Sequence, residues 1–241
     1  MRTRSDRKLR RIVTIAMFGA MAYAVMLIVH IRVTFLTLDI KDALITLCGL
    51  FFGPLSAVAL SVLVPFLEFI TVSDTGIYGL VMNILGSLSF SVTTTLIYRN
   101  FKKLSGALLG LLTGVFAATG VMILANLIIT PYYMGVTVSE VAALIPKLLL
   151  PFNLVKSVLN AGIVLLLYKN LSVALRRTGL LPRSVAETAG GEEGEGPVAE
   201  TGGRNVVRTV VVTVTALLLI AASLIVIFAV LGGKFNFGVG A

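Results

Sequence analysis

The chain alternates long apolar runs with short polar stretches. Residues 12–29 are almost wholly apolar and follow six basic residues, Arg2, Arg4, Arg7, Lys8, Arg10 and Arg11. A helix needs about 20 apolar residues to cross ~30 Å of hydrocarbon, so this run predicts a first membrane span. Its charge layout resembles a leader peptide, but it is too long and no small-residue cleavage site follows, so it is read as retained. A polar stretch covers 30–42. Residues 43–52 and 55–67 are two short apolar runs split by Gly53-Pro54, a pair that stops a helix and predicts a tight hairpin of two short, tilted helices. Residues 77–98 form the fourth run, ended by Arg99, Lys102 and Lys103. The fifth, 104–129, is expected to stop near Pro131. Residues 130–147, with Pro131, Gly135, Glu140 and Pro146, predict a structured loop. A sixth run at 148–175 ends in Arg176-Arg177.

The pattern then changes. Residues 183–205 are rich in Gly and Glu, with no apolar period, and predict a flexible linker. Residues 206–231 form a seventh apolar run. The expected organisation is a six-helix membrane domain at 1–182, the linker at 183–205, and an additional transmembrane helix with its tail at 206–241. The fold class is all-α and polytopic.

Composition agrees. Hydrophobic residues make up 57% and charged residues 13%, against about 25% charged in soluble domains, so a water-facing surface for the whole chain cannot be assembled. The net charge of +9 would suit nucleic acid in a polar chain; here it is read as the positive-inside bias. Six basic residues precede the first span, three lie between the fourth and fifth, and six lie from Lys169 to Arg208, fifteen of the 20 in the sequence. The Gly53-Pro54 hairpin is needed for that count to alternate. The expected topology is therefore seven spans with the N-terminus cytoplasmic. Cys48 is alone, His30 is the only histidine, and no P-loop, HExxH motif or cysteine cluster is present. Disulfide scaffolds, metal sites and catalytic triads lack their residues, so no enzyme activity, cofactor or metal is expected.

Chemistry is sought among polar residues kept inside apolar helices. Lys156 stands out, because a lysine within a span costs about 2.5–3.5 kcal/mol on insertion scales and marks a functional position by default. Asn153 and Asn160, at i−3 and i+4, share its helical face. One cation and two amides on a stripe suit a neutral heterocycle with carbonyl and ring-nitrogen edges better than a metal ion. The competing reading has Lys156 snorkelling to the interface and the asparagines joining helices. Asn126 is a further candidate ligand, with the same alternative. Tyr132 and Tyr133 read as interfacial belt residues, Glu68 and Asp74 as water-facing, and Asn83 as helix packing. Ala16, Ala20 and Ala24 form a small-residue stripe that permits close helix approach.

Several stretches resemble the substrate-binding S components of energy-coupling-factor (ECF) vitamin transporters. They are Phe35-Leu-Thr-Leu-Asp39-Ile-Lys-Asp42, Gly49-Leu-Phe-Phe-Gly53-Pro54-Leu, Ala125-Asn126 with Pro131-Tyr-Tyr-Met-Gly135, and Pro151-Phe-Asn153-Leu-Val-Lys156-Ser-Val-Leu-Asn160. The last two are similar to the riboflavin-specific members. The resemblance covers about residues 9–177. It implies a six-helix bundle with a vitamin pocket open to the outside. It implies Asn126, Asn153 and Lys156 as hydrogen-bonding partners of a flavin ring, with Leu36, Thr37 and Asp39 closing the site and Asn160 on the same stripe. It implies that Ala16, Ala20 and Ala24 dock on a membrane-embedded coupling subunit, which two separate ATPase subunits drive. Two features depart from the pattern. Ala43-Leu44 stands where a small apolar residue and proline usually follow the second aspartate, and the seventh run has no counterpart. Rival expectations are an S component for another vitamin, such as thiamine or a pantothenate-like compound, and a membrane scaffold that transports nothing. A pocket lysine argues against cationic thiamine.

Overall fold

The computed structural model describes residues 4–73, 75–101, 104–178 and 201–235. Helix α1 spans Arg4–Ile28 and is followed by a β-hairpin, β1 at Ile31–Val33 and β2 at Leu36–Leu38. The polar stretch at 30–42 is thus not merely a loop. Helices α2 (Lys41–Phe52) and α3 (Pro54–Thr71) meet at Gly53. Gly53 has φ 96°, open to glycine and strained for other residues, and Pro54 occupies the first turn of α3, where its missing N–H costs nothing.

The two arms of this helical hairpin differ in kind. At 1.5 Å per residue, the 12 residues of α2 reach only about 18 Å. Eleven of those residues are buried. A helix that is apolar all round belongs in a protein interior, and α2 packs against α1, α3, α4 and α7. Its lower end is fixed by Arg11, whose guanidinium donates to the Phe52 carbonyl at 2.7 Å and so satisfies a helix-terminal acceptor. Among the described residues, six helices are long and apolar enough to cross a membrane, α3 and the last helix included, and α2 is not. The expected arrangement of a six-helix bundle with a further C-terminal helix is thus present, with α2 as the short first arm of the Gly53-Pro54 hairpin.

Helix α4 spans Gly76–Asn100 and α5 spans Leu104–Met134. They lie close, because a Cβ at Gly110 would sit 2.6 Å from the Thr94 carbonyl oxygen; small residues admit such backbone approach. Helix α5 does not stop at Pro131. Proline removes one backbone donor and is tolerated inside a membrane helix, so α5 continues to Met134. It ends where Gly135 takes φ 66° and donates to the Pro131 carbonyl at 2.9 Å, a left-handed glycine stop. The following loop holds helix α6, Val138–Leu144, opened by a capping box between Thr137 and Glu140. The exposed Glu140 carboxyl is held below its usual range by the backbone N–H and the hydroxyl of Thr137. A π-helical turn, Ile145–Leu149, runs straight into α7, Leu150–Arg177.

Helix α8 covers Thr201–Ile225 and ends in a π-helical turn, Val226–Val230. It begins inside the stretch expected to be linker; residues 183–200 of that stretch lie outside the described residues. It packs against α7, where a Cβ at Gly162 would lie 3.0 Å from Ile220 and 3.3 Å from the Ala216 carbonyl. After it, β3 (Lys234–Phe235) pairs antiparallel with β1, giving a three-stranded sheet of order β2-β1-β3.

Candidate functional site

At the hairpin end of the bundle, a cavity with about 940 Å³ of empty space, part of it open to solvent, lies between α4, α5 and α7 beneath the hairpin. Its apolar walls include Phe35, Leu36, Tyr78, Met82, Phe90, Met122, Ile129 and Phe152. Thr37, Asp42, Asn83, Asn126, Thr130, Asn153, Lys156 and Asn160 supply its polar groups. Ligand sites are mostly apolar with a few placed polar groups, and this lining has that character.

Helix α7 delivers the stripe that its spacing predicts, with Asn153, Lys156 and Asn160 all on the cavity. The three amides are already partly committed. Asn153 Nδ2 donates to the Leu149 carbonyl at 2.7 Å. Asn126 Nδ2 donates to the Met122 carbonyl at 2.7 Å, and its Oδ1 accepts from Thr130. Asn160 is used fully: Oδ1 accepts from the Ala43 N–H at 2.8 Å, and Nδ2 donates to the carbonyls of Asp39 and Lys156. Ile40, the residue preceding α2, offers it no side-chain cap. Asn160 supplies that cap from 117 residues away, satisfying an N–H that would otherwise be orphaned.

Lys156 is neither snorkelling nor bare. Its Nζ lies 2.9 Å from Asp39 Oδ2 and donates to the Thr37 carbonyl at 3.2 Å. Asp39 is 1% exposed and does not line the cavity. It is the shared counter-ion of Lys156 and of Lys41, whose Nζ is 2.7 Å away. Burial by itself pushes the Asp39 carboxyl up; the ammonium groups of Lys156 and Lys41, with their hydrogen bonds, outweigh it and hold the group well below the usual carboxylate range. Lys41 also donates to Asn83 at 3.4 Å and pairs with Glu68 Oε2 at 3.2 Å, while Asn83 Nδ2 donates to Glu68 Oε1 at 3.0 Å. The water-facing role expected for Glu68 is therefore corrected, for it is 5% exposed. Asn83 does bridge elements, and it also faces the cavity. Asp42, buried and lining the cavity, accepts from Ser87.

Sequence reading missed the second half of this cluster. Lys41, Glu68 and Asn83 come from three different elements, and no local spacing joins them. The one available signal was that Asp39, Lys41 and Asp42 concentrate charge at the start of an apolar run. Of the two tyrosines, Tyr133 lines the cavity and Tyr132 is 76% exposed. Asp74 lies outside the described residues. Ala16, Ala20 and Ala24 share an outward face of α1 and are exposed.

The model for the substrate-specific component of ECF transporters matches residues 10–168. The chain belongs to that family. A riboflavin transporter, RibU, of Staphylococcus aureus (strain TCH60) is 26% identical over 177 residues, covering 70% of this chain and 93% of the relative. A solved structure described as the S component of a bacterial ECF transporter superposes with a TM-score of 0.61 at 26% identity, over 70% of this chain and 99% of the other. As an S component, the chain is a membrane transport protein of mostly helical fold. The family match ends before α8 begins.

Proposed function

We propose that this S component binds riboflavin from outside the cell and delivers it across the plasma membrane, coupled to a membrane-embedded ECF subunit and two ATPase subunits. The observation that carries the reading is the cavity itself: aromatic and aliphatic walls for a planar ring system, with Asn126, Asn153 and Lys156 among the polar groups that line it. Riboflavin has a large flat body, a carbonyl- and nitrogen-rich edge and a hydroxylated tail, and the site offers matching donors and acceptors. The 26% identity to a riboflavin transporter supports the same ligand. In this reading the N-terminus is cytoplasmic, by the distribution of basic residues, and the exposed Ala16, Ala20 and Ala24 face meets the coupling subunit.

Thiamine stays as a second reading for a specific reason. Lys156 is neutralised by Asp39, and the Asp42 carboxyl lines the same cavity, so the lysine excludes a cation less firmly than its charge alone suggests. Titration of riboflavin fluorescence with purified protein decides between them. Saturable quenching that thiamine does not compete supports riboflavin, and absence of quenching with measurable thiamine binding overturns it.

A further inference from the structure

The hairpin over the cavity is a poor structure on its own. A two-stranded hairpin is marginal in water, and this one turns through Thr34 at φ 58°, where a β-branched side chain is strained. Yet β2 carries Leu36 and Thr37, which line the cavity, and the Thr37 carbonyl accepts from Lys156. Something must hold it. The third strand comes from the far end of the chain: Lys234 pairs with Arg32 and Phe235 with Ile31, which makes β1 the central strand. The approach is close and built. Gly232 takes φ 66°, Gly233 donates to the Ile227 carbonyl at 2.9 Å, and a Cβ at Gly233 would sit 3.2 Å from Ile31 Cγ2. Ile227, at the end of α8, is fully buried in the same cluster as Ile31, Val33, Leu38 and Phe152.

We infer that the appended helix α8 and strand β3 are a positioning element of the binding site, pinning β1 from behind so that β2 stays seated on the cavity and the bound vitamin leaves slowly. The inference deepens the proposed function and rests on its cavity. The pinning is by backbone pairing, so side-chain identity at 234 and 235 matters little, whereas proline, which has no N–H, breaks it. The test compares three full-length chains: the natural one, Lys234→Pro with Phe235→Pro, and Lys234→Arg with Phe235→Tyr. Hydrogen exchange is followed in 31–38 without ligand, and riboflavin release is followed by fluorescence.

Expected results are that the double-proline chain exchanges faster in 31–38 only and releases riboflavin roughly tenfold faster, the weight of about one or two net hydrogen bonds. The conservative pair should match the natural chain. Equal exchange and release in all three overturns the inference, and so does a loss of protection spread across α4 and α7, which would mean general destabilisation. If the double-proline chain does not accumulate, a chain ending at Gly232 replaces it, with the same outcomes. If the natural chain fails to bind riboflavin, the ligand assignment falls, while the exchange comparison still decides whether β3 pins the hairpin.

Discussion

A buried cation is held here by giving it more partners than one bond requires. Asp39 faces two ammonium groups, Lys41 faces Asp39, Glu68 and Asn83, and Lys156, which lines the cavity, faces Asp39 and the Thr37 carbonyl. Removing one member of a buried ion pair costs more than the pair contributes, because the remaining charge is stranded. Lys156→Ala should weaken riboflavin binding by at least ~1 kcal/mol, the low end for a charge-assisted hydrogen bond, while Lys41 keeps Asp39 compensated and the protein folded. Unchanged affinity in a fluorescence titration would remove Lys156 from the site. Asp39→Asn leaves Lys156 without its carboxylate and Lys41 with Glu68 as its remaining one, and should cost about 3–5 kcal/mol of stability, seen as a lower thermal midpoint in detergent. The depressed Asp39 carboxyl also fixes a pH dependence. Its stabilisation is fully present above the unfolded value of about 3.9 and is lost as pH falls through the folded one. Thermal stability should therefore not vary through Asp39 between about pH 5 and 8, and should fall below about pH 4; a midpoint that declines from pH 7 to 5 in the natural chain but not in Asp39→Asn would contradict this.

Among the elements, α1 and α2 show how one bundle serves two surfaces. Helix α2 is enclosed and presents its start to the cavity, where Asn160 caps it. Helix α1 buries Phe18, Ala22 and Met26 and turns Ala16, Ala20 and Ala24 outward. Small side chains on an exposed face permit close approach of another helix. Ala20→Leu should leave riboflavin binding intact in detergent and abolish uptake by cells carrying the coupling module. Loss of binding would show that the face serves the pocket instead.

For the molecule as a whole, every cavity-lining residue among the described ones lies at or before Asn160, and the family match ends at residue 168. A chain truncated after Arg183 should therefore insert, fold and still bind riboflavin, with faster release because β3 is gone. Failure of a well-expressed truncated protein to bind at all would make α8 part of the pocket's construction rather than its tether. The measurement is the same titration, run beside the full-length chain.

Hydrophobic runs by themselves located the helices, because hydrocarbon demands that each spanning segment satisfy its backbone internally and be apolar along its own length. That demand is local, so residues 12–29 or 77–98 are legible without their neighbours. The α7 stripe was legible for the same reason: Asn153, Lys156 and Asn160 share a face by helical spacing alone. Local chemistry even carried the capping box at Thr137 and Glu140, although the loop reading passed over it. What only the tertiary structure decided is non-local. Lys156 meets Asp39, and Asn160 meets Ala43, each across 117 residues. Glu68 is buried because Lys41 and Asn83 reach it from other elements. Lys234 meets Arg32 across nearly the whole chain. A charge in sequence looks alike whether water or a counter-ion awaits it; packing chooses, since desolvation is tolerated only where partners are already in place.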